Sequence, residues 1–141
     1  MFQSFNALKQ LVERDGHTIT AEAVAYPATP VPEDAGMLDW ANFMSSVDAG
    51  TAALGGQYAS FAARCPSTKV VLAGYSQGAM VVHRNLHALA GSPNLAASLL
   101  IADGDRLPED GPPLAGCDLA EVAEVDLVVG AGHPEPVAGD E

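Results

Sequence analysis

The strongest constraint on this chain is the stretch Val70–Ala90, which reads VVLAGYSQGAMVVHRNLHALA. An apolar run, Val70–Ala73, leads into Gly74-Tyr75-Ser76-Gln77-Gly78, and a helix-forming stretch follows from Ala79 to Ala90. The order is strand, sharp turn and helix, with a serine at the apex. The two glycines remove Cβ atoms where strand and helix crowd each other, so the turn tolerates a strained backbone and pushes Ser76 Oγ into open space. A helix that begins just behind the serine turns its free N–H groups and the positive end of its dipole toward that hydroxyl. Such a turn suits a nucleophile whose reaction builds negative charge on oxygen.

The rest of the composition bounds what can surround it. A chain of 141 residues supports one domain and one core. Hydrophobic residues make up 48% and charged residues 17%, the balance of a globular protein and not of a disordered one. Eighteen acidic against six basic residues give a net charge of −12, which repels polyanions and makes nucleic acid and anionic membrane poor partners, so no nucleic acid is expected. No apolar run approaches the roughly 18 to 20 residues that span a bilayer. Met1–Arg14 has no basic segment followed by an apolar core, so no secretory signal peptide is read, and a chain truly starting at Met1 would stay in the cytoplasm. Cys65 and Cys117 allow one disulfide at most, and two separate thiols fit equally well.

Phe2, Phe5, Leu8, Leu11 and Val12 recur at helical spacing, which predicts an amphipathic helix over Met1–Arg14 closed by Asp15-Gly16. His17–Tyr26 alternates as a strand, and Pro27, Pro30 and Pro32 force a loop after it. Met37–Arg64 reads as helix, with Leu38, Phe43, Val47, Ala52 and Leu54 able to face a core. Gly50 and Gly55-Gly56 leave open whether it is one helix or two. Trp40 and Phe43 read as packing residues, not as a substrate platform. Lys69–Ala73 and Ser98–Ala102 are continuous apolar strands of the kind buried on both faces of a parallel sheet. Asp118–Val129 fits helix or strand, and Gly130–Glu141 reads as a loose tail. Strand, helix, strand, helix, strand predicts an α/β fold with a doubly wound parallel sheet in three α/β/α layers, over a single domain 1–141. Catalytic groups in such a sheet sit at the carboxyl ends of strands, where Ser76 and Asp103 both lie.

Cys65-Pro66 before the strand, Gly74-Tyr75-Ser76-Gln77-Gly78-Ala79 after it, Tyr26-Pro27-Ala28, and Ala102-Asp103-Gly104-Asp105-Arg106 together resemble the cutinase family. These are lidless serine esterases with the α/β-hydrolase fold. The resemblance runs from about Ala21 to Arg106 and leaves a divergent tail over 107–141. It implies a serine carboxylic-ester hydrolase, secreted and disulfide-bonded, with Ser76 as nucleophile and the Gln77 backbone N–H as an oxyanion donor. It also implies that the fold is incomplete, because the family's first strand would precede Phe2. The family's order of serine, aspartate and histidine along the chain points to Asp126 as the acid and His133 as the base.

An imidazole must take the serine proton and a carboxylate must orient it. Among the four histidines, His17 starts a strand at its far end. His83 and His87 lie on a helix leading away from the serine, two turns along by His83. Asp103 remains the alternative acid on topology. His83 and His87 are four residues apart, but Arg84 stands where a metalloprotease has its glutamate, so no metal site is read and no cofactor is called for. Two functions follow. One is an esterase that forms an acyl-enzyme on Ser76 from ester or polyester substrates. The alternative is a catalytically inactive remnant or binding fragment without a complete triad and oxyanion hole.

Overall fold

The computed structural model describes residues 2–33, 36–107 and 125–130. The first helix, α1, spans Phe2–Arg14. Its stop is built as expected: His17 N–H reaches back to Val12 O at 3.1 Å and Gly16 N–H to Glu13 O at 3.1 Å, the paired bonds of a Schellman motif. The apolar stripe then docks, since Phe5, Leu8 and Val12 pack on Ile19, Val71 and Ala73. Leu11 lies off that line and stays half exposed.

Strand β1 covers Ile19–Val24, inside the predicted His17–Tyr26. Helix α2 then runs unbroken from Met37 to Arg64. Its glycines do not divide it, because packing decides the matter. A Cβ on Gly50 would lie 2.7 Å from Val81 Cγ2 and 3.0 Å from the Tyr26 ring, so glycine is what allows α2 to approach its neighbours. The helix-propensity cost of one glycine, about 1 kcal/mol, is smaller than that of losing this contact. The buried stripe is Phe43, Ser46, Val47, Gly50, Leu54, Tyr58 and Phe61. Leu38 and Ala52, expected inside, fall off this line and are exposed. Trp40 is 42% exposed and sets its ring edge-on to the buried Phe43.

Strand β2 covers Lys69–Tyr75, helix α3 covers Gln77–Leu89 and strand β3 covers Leu95–Ile101. Strand β4, Val125–Gly130, resolves part of the ambiguous Asp118–Val129 stretch and takes Gly130 out of the expected tail. Residues 131–141 lie outside the described ones. The sheet order is β1-β4-β2-β3, and every pairing is parallel. Alternate β2 residues serve two cores: Val70 and Leu72 join α2 and α3, while Val71 and Ala73 join α1. Side chains alternate across a strand, so these cores lie on opposite faces, which explains the uninterrupted apolar run in β2. Among the described residues, no helix is long and apolar enough to cross a membrane.

Candidate active site

The site forms where β2 ends and α3 begins. Ser76 stands between them with φ 51° and ψ −117°, a backbone state that L-residues other than glycine rarely adopt. Gly74 makes the turn possible. A Cβ there would fall 2.2 Å from Gly78 O and 2.6 Å from Ala79 N, rigid backbone with no room to yield. The strained serine is tied on both sides. Its N–H donates to Ile101 O at 2.8 Å, and its carbonyl accepts from Ala79 N at 2.9 Å and Met80 N at 3.2 Å. Ser76 occupies the N-cap of α3, yet its hydroxyl makes no capping bond. A partly exposed serine with an uncapped hydroxyl is therefore left at the positive end of a helix.

Gln77 is the first residue of α3, so its N–H is among those that helix geometry leaves without an intrahelical acceptor. Its side chain is fastened in the opposite sense. Nε2 donates to Ser46 Oγ at 2.7 Å and to Thr29 O at 3.1 Å, and Oε1 accepts from Tyr26 Oη at 3.2 Å. Ser46, buried in α2, donates to Phe43 O at 2.8 Å and accepts from Thr29 Oγ1 at 3.0 Å. Burial pushes the Tyr26 phenol above its ordinary pKa, so it remains a donor. The loop after β1, the buried face of α2 and the serine turn are thus joined through one amide. An open groove of about 460 Å³ runs along Thr29–Glu33, Asp39 and Asn42 and meets this junction at Thr29. Sequence reasoning assigned Gln77 its backbone role but missed the side chain's, whose partners lie 31 to 51 residues away and leave no local pattern.

The carboxylates and imidazoles are arranged differently from the expected order. Asp126 pairs in register with Val70 in β2 and Thr20 in β1. Val70 precedes Ser76 by six residues along an extended strand, so Asp126 sits at the amino end of the sheet, about 20 Å from the serine. The structure does not bring Asp126 to Ser76. His133 lies outside the described residues. His17 is also at the amino end, just before Ile19, and His87 is exposed in the last turn of α3.

Asp103, the alternative acid, is engaged elsewhere: His83 Nδ1 donates to its Oδ2 at 2.5 Å, with the carboxylate side chain only 3% exposed. Among the described residues, no imidazole hydrogen bonds Ser76 Oγ. Cys65 is a free, partly buried thiol, and Cys117 lies outside the described residues.

Comparison with known proteins converges on one group. Cutinase pbc1 of Pyrenopeziza brassicae is 38% identical over 77 residues, 55% of this chain and 37% of that protein. Acetylxylan esterase 2 of Talaromyces purpureogenus is 44% identical over 75 residues, 53% of this chain and 30% of that protein. A cutinase of Botryotinia fuckeliana is 29% identical over 116 residues, 82% of this chain and 50% of its own. The chain thus spans half or less of the length of each of these relatives. No solved structure matches the chain at a significant level. The family profile described as Cutinase matches residues 3–125, beyond the Ala21–Arg106 stretch whose motifs carry the resemblance. With the serine turn at its centre and a match over most of its length, the chain belongs to the cutinase family.

Proposed function

We propose that the chain is the core of a serine carboxylic-ester hydrolase. The observation that carries this reading is Ser76 itself, a strained, uncapped, partly exposed serine at the N-terminus of α3. Relatives named as cutinases and as an acetylxylan esterase support an ester as the bond attacked. A complete three-layer α/β-hydrolase fold and action outside the cell belong to the same proposal, carried by the family.

In this reading Ser76 Oγ attacks the ester carbonyl carbon while an imidazole accepts its proton. The carbonyl π electrons move onto oxygen, and the Gln77 N–H with the dipole of α3 stabilises that charge. The intermediate collapses, the C–O bond to the alcohol breaks, and the imidazolium returns the proton to the leaving alcohol. Water then repeats the sequence and frees the acid from the serine. His133 is the proposed base, since His17, His83 and His87 are each committed or remote. In the β4 register described above, Asp126 is too far from Ser76 to orient that imidazole there. The choice of Asp126 as the acid is supported by the family's order along the chain alone. The groove beside Thr29 is the proposed seat of the group flanking the ester.

The test is labelling by a fluorophosphonate together with p-nitrophenyl butyrate hydrolysis. The expected result is one labelled site and a serine-dependent burst, both lost in Ser76→Ala. Labelling that survives that substitution would sink the assignment. A second reading, an inactive binding fragment, draws on the absence of a carboxylate–imidazole pair at Ser76 among the described residues. A folded, soluble chain that neither labels nor turns over would favour it.

A further inference from the structure

Among the described residues, only two other than glycine have positive φ: Ser76 at 51° and Ala102 at 54°. They are neighbours in space. Ser76 N–H donates to Ile101 O, the residue before Ala102, so the apex of the turn hangs on the end of β3. Strained backbone at both positions persists only if something holds the pieces together.

What holds them is one face of α3. Met80, His83 and Arg84 are spaced to line a single side of the helix, and each meets the loop after β3. Gly104 lies against Met80, where a Cβ would come within 3.2 Å of the sulfur. His83 Nδ1 binds Asp103 Oδ2 at 2.5 Å. Arg84 grips Asp105 through Nε at 2.6 Å and Nη2 at 3.3 Å, and its Nη1 reaches Asp48 on α2 at 2.8 Å. Asp103 uses its other oxygen to accept the Asp105 N–H at 3.1 Å, which closes the loop on itself. Its side chain is only 3% exposed, and a buried polar group left without hydrogen-bond partners is costly, so these donors matter to the loop.

We propose that His83 is a positioning residue: by donating Nδ1–H to Asp103 it clasps the loop to α3 and so holds Ser76 in its reactive conformation. This rests on the reading of Ser76 as nucleophile. The imidazole acts as a donor and takes no proton from the serine. Seven residues of helix put about 10 Å between them along the axis. Release of the loop lets the Ile101 carbonyl move and the Ser76 backbone relax. Oγ and the Gln77 N–H then lose their alignment, a loss that appears in turnover before it appears in substrate binding.

The test exploits a likeness in shape. An asparagine amide nitrogen sits where His Nδ1 does, but it cannot act as a base. In the full chain, His83→Ala should lower kcat for p-nitrophenyl butyrate about tenfold with KM changed less than about twofold, and His83→Asn should stay within about twofold of the parent. An unchanged His83→Ala enzyme would overturn the proposal. So would a folded His83→Asn enzyme as slow as His83→Ala. Circular dichroism reports folding of each variant. Nitrogen-15 NMR of the parent's imidazoles reads the clasp without reference to activity: His83 should carry a slowly exchanging Nδ1 proton, and an unprotonated or freely exchanging Nδ1 overturns the idea. A parent that shows the protected proton but neither labels nor turns over would refute the esterase reading and leave the clasp standing.

Discussion

The two halves of the serine turn are held by different kinds of interaction. On the inner side, Gly74 and Ser76 are governed by backbone, that of Gly78, Ala79 and Met80 a few residues on and that of Ile101 at the end of β3, through contacts that no side chain can relieve. On the outer side, Gln77 and the Asp103 loop are governed by side chains from distant parts of the chain: Tyr26, Thr29 and Ser46 for the first, His83 and Arg84 for the second. The inner half makes the strained shape possible and the outer half keeps it from relaxing. Such a site breaks in two ways, abruptly if the backbone cannot form the turn and gradually if its clamps are removed.

Gly74→Ala should have the largest effect. Its methyl group would overlap the Gly78 carbonyl, and since backbone cannot rotate aside, the loss is expected to be about 4 kcal/mol, at the diagnostic end of single substitutions. Urea unfolding measures it. A stable, active Gly74→Ala protein would erase the distinction between the two halves.

Gln77→Glu should come next. The substituted oxygen faces the Thr29 carbonyl where an amide had donated, so about 2 kcal/mol of stability is expected to be lost, together with turnover. Comparison with Gln77→Ala sharpens the point. If Glu is tolerated better than Ala, the amide's donor role is refuted.

Tyr26→Phe should be the mildest, removing one 3.2 Å hydrogen bond for about 1 kcal/mol. It carries a pH signature as well. Burial raises the folded-state pKa of this phenol, so its contribution is fully present below the unfolded value near 10 and is lost as pH climbs through the raised folded value. Stability measured through that alkaline window should fall less steeply in Tyr26→Phe than in the parent. Equal slopes would mean that another group governs the alkaline limb.

Much of this is legible in the sequence. The strand, turn and helix around Ser76 follow from residues within one turn of each other, and the stripe of Phe5, Leu8 and Val12 announces α1 by its period alone. Reading failed where distant partners decide. Leu38 and Ala52 are apolar yet exposed, because the contact line of α2 is set by what it crosses, including Val81 and Tyr26 at Gly50. Asp126 follows Ser76 in the expected order, but order along the chain carries no information about register. Pairing with Val70 puts it at the other end of the sheet.

By itself, then, the sequence determined a parallel α/β core with a strained serine between β2 and α3, because hydrophobic period, glycine spacing and turn geometry act over a few residues. The tertiary structure alone decided which side chains steady that serine: Gln77 through Ser46 and Thr29, and Asp103 through His83. The physical reason is range. A hydrogen bond of about 3 Å forms between groups that the chain separates by tens of residues, and only the packing of α2, α3 and the sheet brings them that close.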